Sequence, residues 1–194
     1  TLNARRCDVI IGTGTGVDMV KTGKAYYRSG HVWIYRKDSG YNIKDWKSPD
    51  LRKGVIGIVD KSPVSVALDA YDLIGNAKPY RLQRDLNVSP GVLVDDVVSG
   101  EIDVAIMWGP IGGYYAKNSK VPLEVVLIPE FEDTQLSGKT YWNISPGVRY
   151  KENDRLKMID DAIARNKDKI LKILDDYGIP HVEPEFHNIL DGKE

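Results

Sequence analysis

The chain has 194 residues, 42% of them hydrophobic, and a formal net charge of −1. That length is ample for one domain or two small lobes with a real core. The balanced charge leaves no basic stripe for phosphate backbones, and no apolar run approaches the roughly 18 residues of a membrane span. The single cysteine, Cys7, cannot make an internal disulfide; set in an apolar run, it is expected to be a core thiol. No signal peptide is visible and the first residue is Thr1, so the sequence reads as a processed or truncated product.

In chain order, residues 1–6 read as the tail of a helix. Asp8-Val9-Ile10-Ile11 forms a short buried strand, stopped by the loop Gly12-Thr13-Gly14-Thr15-Gly16. The aromatic and β-branched alternation of residues 31–36 predicts a second strand, and the wholly apolar run 55–59 a third, of the kind buried in parallel sheets. Ser62-Pro63 and Ser89-Pro90 each place a capping residue before a proline, which favours helix starts; Gly75 and Gly100 are the matching stops. Strands follow at residues 104–107 and 123–128. A long amphipathic helix then runs from a cap at Asn153 through Leu156, Ile159, Ile163, Ile170, Leu174 and Tyr177 to Gly178 and Pro180. Alternating strands and helices predict a parallel α/β architecture, with a polar, loosely held tail over residues 183–194.

Residues 7–12 and 102–109 echo each other. Each is an apolar strand introduced by Asp and ending in a glycine loop. In open α/β sheets, ligands bind outside the carboxyl ends of strands. Two such junctions, one per lobe, would face each other across a cleft.

The order of these motifs resembles the type II periplasmic solute-binding proteins. The stretch Cys7 to Ser39, with its turn Ala25-Tyr26-Tyr27-Arg28-Ser29-Gly30, matches the part of that fold that crosses between lobes. Gly100-Glu101-Ile102-Asp103-Val104-Ala105 and the ending Asp176-Tyr177-Gly178 also fit. The resemblance implies a two-lobed α/β fold with the N-terminal part of the first lobe missing. It assigns residues 1–30 and 126–182 to the first lobe and 31–125 to the second, with crossings near 28–36 and 121–129. In the amino-acid-binding branch, an arginine and an aspartate grip the ligand's two charges; Met19, beside Asp18, and Trp108 stand at the matching places here. Free amino acids are therefore not the expected cargo.

A narrower likeness rests on Tyr26-Tyr27-Arg28-Ser29, Tyr35-Arg36-Lys37-Asp38-Ser39-Gly40, Ala105-Ile106-Met107-Trp108-Gly109-Pro110 and Gly113-Tyr114-Tyr115-Ala116-Lys117. These segments are similar to the MoxJ/XoxJ proteins, with a lean to XoxJ. That family comprises solute-binding-like accessory proteins encoded with bacterial quinoprotein methanol dehydrogenases. The resemblance implies a non-enzymatic periplasmic protein of methylotrophy. Its partner would be a PQQ-dependent, calcium- or lanthanide-containing dehydrogenase, engaged at its large subunit or through a peptide segment. No cofactor is expected on this chain itself.

Residue by residue, the glycine loop could cradle an anion with its amides, yet it lacks the Walker lysine and more simply permits a tight turn. Asp60, Lys61 and Ser62 stand at a strand end before a helix start, a natural anion site whose plainer reading is helix capping. His31, His181 and His187 lack metal-ligand spacing, and the pairs Asp95-Asp96 and Asp160-Asp161 read as solvated helix faces, so no metal site is expected. No nucleophile and base can be paired. The candidate cleft residues are Thr13, Thr15, Asp18, Met19, Tyr27, Asp60, Ser62, Trp108, Tyr114 and Tyr115. Trp108 and Tyr114 stand out because they flank a glycine-proline loop and aromatic anchors dominate interface energetics. A receptor of an ABC-type transporter carrying a small non-amino-acid solute is the competing reading. It would need a closed pocket with several placed polar groups, whereas a protein segment needs a wide apolar groove.

Overall fold

A computed structural model describes residues 2–81, 87–130 and 140–185. The chain divides into two compact units. Unit 1 comprises residues 1–29, 142–172 and 181–194; unit 2 comprises residues 30–141 and 173–180.

Among the described residues, unit 2 holds a five-stranded mixed sheet. Its strands are β3 (Tyr27–Arg36, entering the unit at Gly30), β4 (Ile56–Val59), β5 (Ala77–Tyr80), β6 (Val104–Trp108) and β7 (Leu123–Leu127). The order is β7-β3-β6-β4-β5. Strand β4 runs parallel to both neighbours, while β3 is antiparallel to β6 and β7. The sheet is thus mixed, not wholly parallel. Side chains alternate across a pleated strand, and β3 sends Trp33 and Tyr35 to one core and Val32 and Ile34 to the other. Helix α1 (Ser65–Ala70) contributes Ala67 and Leu68 to the first core, with Trp46, Leu51 and Leu73 beside them. Helix α2 (Val92–Ser99) supplies Leu93, Val94 and Val97 to the second; Gly100, at φ +82°, closes it in the left-handed conformation that glycine adopts without strain.

Residues 109–113, read from sequence as a glycine-proline loop between Trp108 and Tyr114, lie inside helix α3 (Gly109–Lys117), with Pro110 in its first turn. Its glycines reflect crowding: a Cβ on Gly113 would lie 2.0 Å from the Gly178 carbonyl oxygen, and one on Gly112 would lie 2.6 Å from Ile34. Strand β7 pairs with β3 along its whole length inside unit 2. The second crossing therefore falls at Tyr141/Trp142, not near 121–129, and residues 126–141 belong with unit 2. The chain re-enters unit 2 for residues 173–180.

Unit 1 is built on β8 (Tyr141–Val148, within the unit from Trp142), which pairs antiparallel with β1 (Ile10–Gly14) and the short β2 (Lys21–Thr22). The first strand starts later than expected and runs into the glycine stretch; it is not buried, since Ile11 is more than half exposed. Residues 2–5 form turns instead of a helical end, and Cys7 is exposed, not a core thiol. Arg149 holds this segment. It donates to the carbonyl oxygens of Leu2 (3.0 Å) and Cys7 (2.9 Å), and pairs with Asp8 (2.6 Å) and Glu152 (2.9 Å). The long terminal helix is two, α4 (Asn153–Arg165) and α5 (Lys167–Asp176), separated at Asn166; Asn153 lies inside α4 and Glu152 takes the N-cap position. The start of the polar tail is tied down: Glu185 pairs with Arg28 at 2.6 Å and Glu183 with Lys167 at 3.1 Å. Residues 186–194, like His187, lie outside the described residues.

Candidate functional site

In unit 1 the candidate residues gather around β1. The Thr15 amide donates to the Asn143 carbonyl (2.9 Å), and the Gly16 amide donates to Thr22 Oγ1 (3.0 Å). These two loop amides are already satisfied, which argues against the loop as an anion cradle. Thr15 Oγ1 also bonds the Asn143 carbonyl (3.1 Å) and Ser145 Oγ (2.6 Å), and Thr13 faces Ser145 in the β1–β8 register. Asp18 accepts from Tyr150 Oη through its backbone carbonyl (2.7 Å), and Met19 is 79% exposed. Tyr27 lies edge-on to Tyr26 at 5.1 Å; burial raises both phenols, Tyr26 to about 12.

Unit 2 builds a different surface. Strands β4 and β6 are adjacent and parallel, so their carboxyl ends emerge side by side, as ligand sites of α/β sheets require. Past β4, Lys61 adopts φ +60° and turns the chain so that the Ser62 amide reaches the Val59 carbonyl at 3.1 Å. Ser62 does not cap the helix. The N-cap position of α1 belongs to Val64, without a side-chain cap bond, and Ser62 Oγ is buried with no hydrogen-bond partner. Past β6, Trp108 leads directly into α3.

Between these ends lies a cavity of about 330 Å³ lined by His31, Val59, Ser62, Pro63, Val88, Pro90, Met107, Trp108 and Ile111. His31 sits opposite Trp108 in the β3–β6 register, with the rings edge-to-face at 5.8 Å. Burial pushes the His31 imidazole down to about 4, opposed by a hydrogen bond to the Thr140 backbone, so the ring is neutral at pH 7. Among the described residues, no Lys, Arg, Asp or Glu lines the cavity. Its wall is therefore aliphatic and aromatic, with one orphaned hydroxyl.

Of the unit 2 candidates, Ser62 and Trp108 come together here, while Asp60, Tyr114 and Tyr115 do not line the cavity. The helical geometry of α3 turns the tyrosines elsewhere: Tyr114 stacks on Tyr177 with ring centres 6.0 Å apart, and Tyr115 packs on Gly91. Asp60 is half-buried and its amide donates to the Tyr80 carbonyl at 2.8 Å. His31, Pro63, Val88, Pro90 and Ile111 escaped sequence reasoning, since no short spacing links them. Asp96, expected to be solvated, is half-buried and accepts from Tyr80 Oη. Among the described residues, no three His, Cys, Asp or Glu side chains gather in a way that could hold a metal ion, and no helix is long and apolar enough to cross a membrane.

No family model matches the chain. Comparison with known proteins defines its class nonetheless: the fold is that of a type II periplasmic solute-binding protein. The crystal structure of MxaJ from M. aminisulfidivorans MPT superposes with a TM-score of 0.80 at 32% identity, over 94% of this chain and 79% of that one. XoxJ from Methylobacterium extorquens AM1, a periplasmic binding protein, gives 0.77 at 29% identity, over 93% and 78%. Protein MoxJ of Methylorubrum extorquens is 30% identical over 92% of this chain, and the chain spans 64% of its length. The chain belongs to the MoxJ/MxaJ/XoxJ family. These identities do not favour the XoxJ branch to which the sequence leans.

Proposed function

We propose that the chain is part of a non-enzymatic periplasmic accessory protein that helps mature or activate a PQQ-dependent methanol dehydrogenase, calcium- or lanthanide-containing, by holding a segment of it against an apolar surface. The reading rests on the family and on the resemblance drawn from its motifs. One observation carries the binding mode: among the described residues, the wall of the unit 2 cavity is aliphatic and aromatic apart from Ser62 and carries no charged side chain. A free amino acid would bury an ammonium or carboxylate there unpaired, at a cost of several kcal/mol by rough estimate. A polypeptide anchor is held mainly by its buried area.

Titration of the chain with the purified dehydrogenase tests this. A saturable complex is expected, weakened by roughly 1–3 kcal/mol in Trp108→Ala if the indole is a buried anchor. Tyr114→Ala, off the cavity, should have the smaller effect. The absence of any complex would reject the reading. A receptor role in transport of a small non-amino-acid solute is supported by the cavity's volume of about 330 Å³, the low end of the ligand-pocket range. Calorimetry with amino acids and small organic acids should give no saturable heat; micromolar binding of one of them would return the protein to the transport class.

A further inference from the structure

The unit 2 cavity specifies its occupant more narrowly than the proposed function does. Ser62 is 8% exposed, lines the cavity, and has an Oγ with no hydrogen-bond partner. Native proteins rarely leave a buried hydroxyl unsatisfied, and each such group calls for an explanation. Helix capping does not supply one, because Ser62 engages α1 only through its backbone carbonyl, which accepts from the Ser65 amide (3.1 Å) and hydroxyl (2.7 Å). Among the described residues, the remaining wall gives no handle for charge. Val59, Pro63 and Ile111 are aliphatic, His31 is neutral, and Trp108 offers a ring.

We infer that this cavity is a socket for one bulky, uncharged side chain, aliphatic or aromatic, of an extended polypeptide, and that Ser62 Oγ donates a hydrogen bond to a backbone carbonyl of that segment. Charge complementarity selects the side chain: an acidic or basic one would find no counter-ion among the described residues of the wall. An extended segment suits such a wall because it carries a carbonyl beside every side chain, within reach of a hydroxyl that the fold leaves unsatisfied. The inference rests on the reading that the protein grips a client segment.

The test uses the whole chain and blocked pentapeptides, acetyl-Gly-Gly-X-Gly-Gly-amide, with X as Leu, Phe, Asp or Lys, followed through the Trp108 indole N–H resonance assigned with Trp108→Phe. The Leu and Phe peptides should shift that resonance in a saturable way, and the Asp and Lys peptides should leave it in place. Ser62→Ala should weaken the Leu and Phe peptides by about threefold to tenfold, the range of one hydrogen bond. Cyclohexanol, which has an apolar body and one oxygen but no peptide backbone, should bind more weakly than either. Equal binding of charged and uncharged peptides, indifference to Ser62→Ala, or tighter binding of cyclohexanol would each overturn the socket. A dehydrogenase complex that forms regardless of these results leaves the accessory role standing without the socket. Peptide binding with no dehydrogenase complex does the reverse.

Discussion

The two groups of candidate residues show opposite ways of treating polar atoms. Around β1 in unit 1, Thr15 satisfies its amide and its hydroxyl internally, Gly16 engages Thr22, and the apolar Met19 and Ile11 are left exposed. At the ends of β4 and β6 in unit 2 the apolar groups are gathered into a cavity, and the Ser62 hydroxyl is left unsatisfied. A satisfied hydroxyl stabilises the resting fold; an orphaned one destabilises it and is corrected only by something that arrives. The second arrangement therefore reads as a binding surface and the first as architecture.

The largest effect should come from the glycines that let α3 pack in unit 2. Gly113→Leu forces a Cβ toward backbone oxygen 2.0 Å away and is expected to cost ~4 kcal/mol or more in denaturant unfolding. Next comes pH. His31 is neutral when folded, with its pKa lowered from 6.5 to about 4, so between those values the unfolded chain binds the extra proton. Stability should thus be full above pH 6.5 and fall as the pH drops toward 4, by about 3 kcal/mol in all. His31→Gln should remove this dependence from the stability–pH curve. Smaller and opposite in sign are the hydroxyl deletions: Thr15→Ala should lower stability by ~1 kcal/mol, whereas Ser62→Ala should raise it by a similar amount. If both lower it, the contrast between the two regions fails. Gly12→Ala, whose Cβ would meet nothing within 4 Å, should change stability by under ~0.5 kcal/mol, a baseline for unit 1.

What was legible in the sequence follows from how local its signal was. Strands β3, β4, β6 and β7 announce themselves through β-branched and aromatic runs. Strand β5 did not, because Ala77-Lys78-Pro79-Tyr80 contains a proline, which a sheet tolerates at its edge, where β5 lies. Strand β8 was hidden by Ser145-Pro146-Gly147 in the same way. Helix α3 was misread because glycine and proline argue locally for a loop; the close approach of Gly178 to Gly113 is a tertiary fact with no local trace. The candidate site was half legible. Ser62 and Trp108 were reachable because both lie at strand ends, but a serine before a proline argued for helix capping at Ser62. His31 was visible only as an isolated histidine until register placed it opposite Trp108.

Neither unit is a continuous stretch of chain, and this sets the order in which they can form. In unit 2, residues 56–59 pair with residues 77–80, a short loop to close. In unit 1, the strand partners of β1 are residues 144–147, and the Thr15–Ser145 contact spans 130 positions. Closing a long loop costs more entropy before contacts reward it, and such pairings form slowly. On refolding, amide protection should therefore rise at β4 and β5 before it rises at β1. During that interval Ile11, Val17 and Met19 sit on a bare strand and its flanking loop, where a chaperone or another nascent chain can reach them.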